Sequence, residues 1–176
     1  MDRLRLATLS ALLASLLGVI SCAVQKPAAN RSFQPGERVT VGRLIYTVFD
    51  TQWLTQIGDG VEARVPQQRF FLVRIAVTNS GGERFVAPNL SVIDDHGTSY
   101  AELSDGQGVN QWIGYLRQLD PSDTLQGNLL FDVPPQHYKL RVSEADSPTA
   151  FLIDLPLDFT GIQMPEVAAP ADGSKP

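Results

Sequence analysis

The chain has 176 residues, with 14 Lys+Arg against 19 Asp+Glu for a net charge of −5, and it is 43% hydrophobic and 19% charged. That composition suits a packed core rather than a disordered chain, and an acidic balance without a basic cluster excludes nucleic acid and a polybasic grip on anionic lipid. A single cysteine excludes an internal disulfide, and two histidines leave few bases for catalysis.

Arg3 and Arg5 precede an apolar run from Leu6 to Ile20 that is too short to span a bilayer comfortably and ends at small residues. This is the layout of a secretory signal peptide, so residues 1–21 read as a leader. The leader carries two arginines and Asp2, so the remainder has 12 Lys+Arg against 18 Asp+Glu, a net of −6. The junction Val19-Ile20-Ser21-Cys22 resembles the bacterial lipobox, which implies a thioether-linked diacylglycerol on Cys22 and acylation of its new amino terminus. Each buried methylene contributes about 0.8 kcal/mol, so several acyl chains hold a protein permanently where one holds it reversibly. The expected location is the cell envelope, anchored to the membrane through Cys22. Ala23 follows the cysteine in place of a retention aspartate, which directs the protein to the periplasmic face of an outer membrane in a two-membrane cell. In a one-membrane cell it would sit on the outer face of the cytoplasmic membrane.

Residues 22–34 are small, polar and proline-bearing and read as a flexible tether; twelve of them fully extended reach roughly 40 Å. The folded domain is expected over 35–162. Its pattern has period two with dense turn punctuation, the mark of strands. The first expected strands are Arg38 to Val41, Leu44 to Thr51 and Phe71 to Thr78, the last followed by the turn Asn79-Ser80-Gly81-Gly82. Arg84 to Ala87, Leu90 to Ile93 and Ser99 to Glu102 come next, with Asp94-Asp95-His96-Gly97 as a hairpin turn. The spacing of Trp112, Tyr115 and Leu116 allows one short helix over Asn110 to Gln118. Leu125 to Asp132, Tyr138 to Val142 and Ala150 to Leu155 complete nine strands, and residues 163–176 form a disordered tail rich in alanine and proline. Nine short strands predict an all-β, immunoglobulin-like antiparallel β-sandwich behind the signal peptide and tether, with Tyr46, Val48, Phe71, Val73, Ile75, Val77, Leu130 and Tyr138 inside.

One ordered set of segments carries a further likeness. Gly36-Glu37-Arg38-Val39 leads into Leu44-Ile45-Tyr46-Thr47-Val48, then Phe71-Leu72-Val73 to Val77-Thr78-Asn79, then Val92-Ile93-Asp94-Asp95-His96-Gly97 with Tyr100. Leu119-Asp120-Pro121 and Gly127 with Leu130-Phe131-Asp132-Val133-Pro134 close the set. It resembles a domain-of-unknown-function family of bacterial lipoproteins with an immunoglobulin-like sandwich, related to the mycobacterial immunoprotective extracellular antigen. The resemblance implies the fold and surface display and carries no catalytic residue. The chain departs from it at Ser122, where the family often has glycine after the proline.

Nucleophilic catalysis needs a hydroxyl or thiol beside a base that a carboxylate orients. Neither His96, in the hairpin turn, nor His137 lies near a glycine-flanked serine, so the chain is expected not to be an enzyme. Asp94, Asp95 and His96, with Asp105, are the residues from which a metal, small-ligand or hydrolase-like site would be built, but their spacing matches no calcium loop and no histidine pair. No cofactor signature appears; Gly58-Asp59-Gly60 lacks the lysine and helix of a phosphate site. Two long loops, Asp50 to Gln68 and Ala101 to Gln118, hold Trp53, Trp112 and Tyr115, and such loops and rings are common at interfaces. These three form the candidate binding surface, against the alternative that they cap the sandwich. The leading functional reading is a lipid-anchored, noncatalytic module binding a protein or other envelope component. A structural or stress-related envelope lipoprotein without a specific ligand is the remaining alternative.

Overall fold

The computed structural model describes residues 32–144 and 149–157; the leader, Cys22, most of the expected tether and the expected tail lie outside them. In chain order the strands are β1 (Ser32–Phe33), β2 (Val39–Val41), β3 (Leu44–Leu54), β4 (Phe70–Asn79), β5 (Phe85–Ala87), β6 (Ser91–Asp94), β7 (Ser99–Ala101), β8 (Arg117–Leu119), β9 (Thr124–Asp132), β10 (Tyr138–Ser143) and β11 (Ala150–Leu155). One sheet has the order β2-β3-β4-β9 and is antiparallel throughout; the other has the order β1-β11-β10-β6-β7; β5 and β8 form a separate two-stranded ribbon.

β4 shows why the sheets face each other. Phe71, Val73, Ile75 and Val77 project to one side and are at most 1% exposed. They meet Val92 of β6, Tyr138, Leu140 and Val142 of β10, and Ile153 of β11 in one apolar cluster. Removing a large apolar side chain from water contributes about 1.5–3 kcal/mol, so this inner layer dominates folding. Trp53 stacks on Phe71 with ring centroids 4.2 Å apart, and Tyr100 meets Tyr138 edge-on at 5.8 Å. The all-β sandwich is thus the expected one, and seven of the eight expected core residues lie between the sheets.

The eighth, Leu130, is buried on the opposite face of its sheet with Ile57, Phe70 and Leu72. Its neighbours Leu129 and Phe131 take the inward positions, because alternation gives β9 two apolar faces. Ser32 and Phe33, which fall within the expected tether, instead join the sheet: they pair in parallel with Leu152 and Ile153, and the Phe33 ring meets Phe151 edge-on at 5.5 Å. The helix expected over Asn110–Gln118 is absent. Gln111 and Gly114 have φ of 51° and 77°, which interrupt a right-handed helix, and Arg117–Leu119 pairs with β5 as a strand. The one helical turn among the described residues is a 3-10 turn at Gly60–Glu62. The Asp94–Gly97 hairpin forms as read: Gly97 has φ 86°, and its N–H donates to Asp94 O at 3.0 Å.

Candidate functional site

A β-bulge between Val48 and Asp50 shifts the register of β3 against β4 and lets the strand run on to Leu54. Trp53 therefore lies in the core at 3% exposure and presents no ring to a partner. The true loops are residues 55–69 and 102–116. Both fold back over the outer face of the β2-β3-β4-β9 sheet, where Leu54, Leu103 and Val109 join the second apolar cluster around Leu72 and Leu130.

Each loop is fixed by its own backbone. In the first, Ile57 and Arg64 exchange main-chain hydrogen bonds of 2.9 and 2.8 Å around the 3-10 turn, and the Asp132 carboxylate accepts the Gln67 and Gln68 N–H groups at 2.7 and 2.8 Å. In the second, the Leu103 N–H donates to Leu130 O at 2.8 Å, the Asn128 N–H donates to Gln111 O at 2.8 Å, and the Ile113 N–H donates to Asn128 O at 3.3 Å. These contacts fill the open edge of β9, which would otherwise offer unpaired backbone groups. Gly127 permits the approach: a Cβ there would stand 2.1 Å from Gln111 O. The Trp112 ring lies over Gly106 in the same way, half-buried, and its Nε1–H is buried without an acceptor among the described residues. Arg64 ties one loop to the other, donating from Nη1 to Asp105 O at 2.9 Å, pairing with the Asp105 carboxylate at 3.6 Å and lying 5.4 Å over the Phe70 ring.

Between the loops lies a two-lobed cleft. The inner lobe, about 280 Å³, has an aliphatic floor of Leu54, Ile57, Leu72 and Val109 and side-chain amides from Gln52, Gln56, Asn110 and Asn128. No charged residue lines it. The outer lobe, about 420 Å³, shares Ile57, Gly58 and Gly108 with the inner one and adds Gln107, Asp59, Glu62 and Arg64. Asn128 Nδ2 donates to Asn110 O at 2.7 Å and Gln56 Nε2 to Gly58 O at 3.1 Å. The amides of Gln52 and Asn110 make no side-chain hydrogen bond to another described residue. Neither Trp112 nor Tyr115, both half-buried, lines the cleft. The loop rings therefore do not mark the cleft. Its position follows instead from two amide-bearing runs without charge, Thr51 to Gly58 and Gly106 to Leu116.

The hairpin does not assemble the site that Asp94, Asp95 and His96 allow on paper. The Asp94 Oδ1 accepts the backbone N–H of His96 at 2.9 Å and of Thr98 at 2.8 Å, and its Oδ2 accepts the Gln136 amide at 3.2 Å. Burial pushes the Asp94 carboxyl up, but the Thr98 and His96 donors outweigh it and hold the group below the usual carboxylate range. Asp95 turns away to His137, whose Nδ1 and Nε2 lie 3.0 Å from Asp95 Oδ1 and 3.0 Å from Asp154 Oδ1. The imidazole that meets carboxylates is therefore His137, which period and spacing do not single out, and His96 is an exposed turn residue. Among the described residues no group of three His, Cys, Asp or Glu side chains is placed to hold a metal ion.

Comparison with solved structures agrees with this architecture. The chain is similar to the yjhA protein of Bacillus subtilis, at 16% identity and a TM-score of 0.54, over 70% of this chain and 99% of that one. It is similar to MPT63, a secreted protein of Mycobacterium tuberculosis, at 14% identity and a TM-score of 0.51, over 73% and 98% of the two chains. A functionally unknown protein of Listeria monocytogenes gives 12% identity and a TM-score of 0.51 over 72% and 85%. At such identities the likeness is one of fold. No curated protein matches the chain in sequence. A family model matches residues 33–150, more than half of the chain, and the protein belongs to that family, the domain of unknown function DUF4352.

Proposed function

We propose that the protein is a lipid-anchored, noncatalytic binding module of the cell envelope that engages an envelope component in the cleft between its two long loops. The observation that carries the binding half is the cleft between the loops, whose inner lobe no charged residue lines. Residues 55–69 and 102–116 belong to neither sheet as strands, yet both segments are held over an outer sheet face by main-chain bonds, an Arg64–Asp105 tie and a second apolar cluster, and the second also sends Ile113 into the main core. Long ordered loops of this kind on a rigid scaffold are where binding sites concentrate. The anchor half rests on the leader and on Cys22 at its end.

Two measurements test the reading. Metabolic labelling with palmitate in the native host is expected to mark the wild-type protein and to fail for Cys22→Ala; an unlabelled wild-type protein still joined to its leader removes the anchor. Titrating isotope-labelled folded domain with solubilised envelope material is expected to move the side-chain amide resonances of Gln52, Gln56 and Asn110. Shifts confined to other surfaces, or none, remove the cleft.

A further inference from the structure

Resting on the cleft as the binding site, we infer that its ligand is an uncharged saccharide bearing N-acetyl groups. The first ground is electrostatic. In a chain with 33 charged side chains, the inner lobe is lined by none. A phosphate, carboxylate or ammonium seated there would give up part of its hydration and gain no counter-charge from the lining, which is unfavourable. Asp59 and Glu62 in the outer lobe repel anions further, and the one base there, Arg64, is already paired with Asp105.

The second ground is the hydrogen-bonding inventory. A side-chain amide offers two N–H donors and a carbonyl acceptor while carrying no charge. The Gln52 and Asn110 amides have both kinds of capacity open, and Gln56 and Asn128 keep their carbonyl oxygens as acceptors. A hydrocarbon ligand would bury these groups unpaired, which is unfavourable. Hydroxyls, each donor and acceptor at once, match them. An acetamido group matches both parts of the lobe, its methyl on the floor of Leu54, Ile57, Leu72 and Val109 and its N–H and C=O on the amides above.

The third ground disfavours an extended peptide, the other neutral ligand rich in amides. Peptides of that kind take main-chain bonds from an open strand edge. The edge of β9 beside the cleft is filled by Leu103, Gln111 and Ile113. The lobes, at about 280 and 420 Å³, match the size of small-ligand sites rather than of a long groove.

The test is an isotope-edited titration of the folded domain with three probes: chitotetraose, cellotetraose, which lacks the acetamido groups, and an acetylated tetra-alanine amide. Chitotetraose is expected to shift the amides of Gln52, Gln56, Asn110 and Asn128 saturably, with cellotetraose at least roughly tenfold weaker. Gln52→Leu and Asn110→Leu should each weaken chitotetraose roughly tenfold, the scale of one or two lost hydrogen bonds, with thermal midpoint and remaining spectrum unchanged. Equal binding of the two sugars, preference for the peptide, or no shift with chitotetraose at millimolar concentration overturns the inference. If envelope material still moves the cleft resonances in that last case, only the ligand class falls; if it does not, the cleft reading falls with it.

Discussion

Ser122 is the residue at which sequence and backbone disagree most directly. Asp120-Pro121-Ser122-Asp123 has proline in the second place of a turn closed by the Asp123 N–H donating to Asp120 O at 3.1 Å, and Ser122 has φ 68°. That is the pattern of a type II turn, whose third place favours glycine because a Cβ is crowded at positive φ. The turn is held in place from β4: the Ser122 N–H donates to Asn79 O, and the Asn79 N–H to Asp123 O, both at 2.9 Å. The fully buried Asn79 amide also reaches Glu83 O and Leu119 O at 2.7 and 3.1 Å. With the backbone so constrained, Ser122→Gly relieves about 1–2 kcal/mol of crowding against about 0.5–1 kcal/mol of added unfolded-state entropy. The net expectation is a gain of about 0.5–1 kcal/mol, read as a rise of about 2–4 °C in thermal midpoint. An unchanged or lower midpoint would show that the serine hydroxyl supplies a compensating interaction.

Elements differ in how far the sequence discloses them. β4 is plain because ten mostly strand-favouring residues, apolar on one face as far as Val77 and on much of the other, run up to a turn rich in glycine, whereas β1 and β8, of two and three residues, are too short for any period to register. The period alone puts Trp53 in a loop, because the bulge at Val48/Asp50 is a main-chain event with no turn residue to announce it. The cleft was half legible: loop length marked the region, but which side chains face inward depends on how 102–116 crosses β9. Least visible is the closure of that second loop. Glu102 at its start and Arg117 at its end form a two-bond ion pair with both side chains 1% exposed, and Glu102 Oε1 also accepts the Leu90 N–H at 2.7 Å. Arg117 Nη1 lies within 3.3 Å of Pro88 O. Charged residues are almost never fully buried unless paired, and nothing in the spacing of two loop-end charges reveals the pairing. Glu102→Ala leaves the guanidinium buried and uncompensated, so a loss of about 3–5 kcal/mol is expected in urea unfolding. Glu102→Leu with Arg117→Leu should recover most of it, because the apolar pair leaves no charge behind. A double variant as unstable as the single one would mean that the hydrogen bonds to Leu90 and Pro88, not the stranded charge, dominate.

At the scale of the whole molecule, the sandwich follows from alternation alone, since two sheets each with an apolar face have to cover one another. What alternation leaves unspecified is how the polar ends of core tyrosines are satisfied. Tyr46 on β3 crosses the interior to donate its hydroxyl to Ser143 O on β10 at 2.7 Å, a stitch from sheet to sheet. Tyr138 donates to Pro134 O at 2.7 Å. Both are fully buried. Burial pushes the Tyr138 phenol up from 10.0 to about 12 and raises that of Tyr46 as well, by disfavouring the phenolate inside the core. In the unfolded chain the phenols ionise near 10, while the folded protein keeps these protons to higher pH. Unfolding then releases protons, so the stabilisation is whole below about pH 10 and declines as pH rises toward about 12. Urea midpoints measured between neutrality and that range are therefore expected to hold level and then drop. Tyr46→Phe and Tyr138→Phe together should flatten the drop, while lowering the neutral-pH midpoint through loss of the hydroxyl bonds. If the wild-type drop persists undiminished in the double variant, alkaline unfolding is driven by the general growth of negative charge on an already acidic protein, and the buried phenols are not its cause.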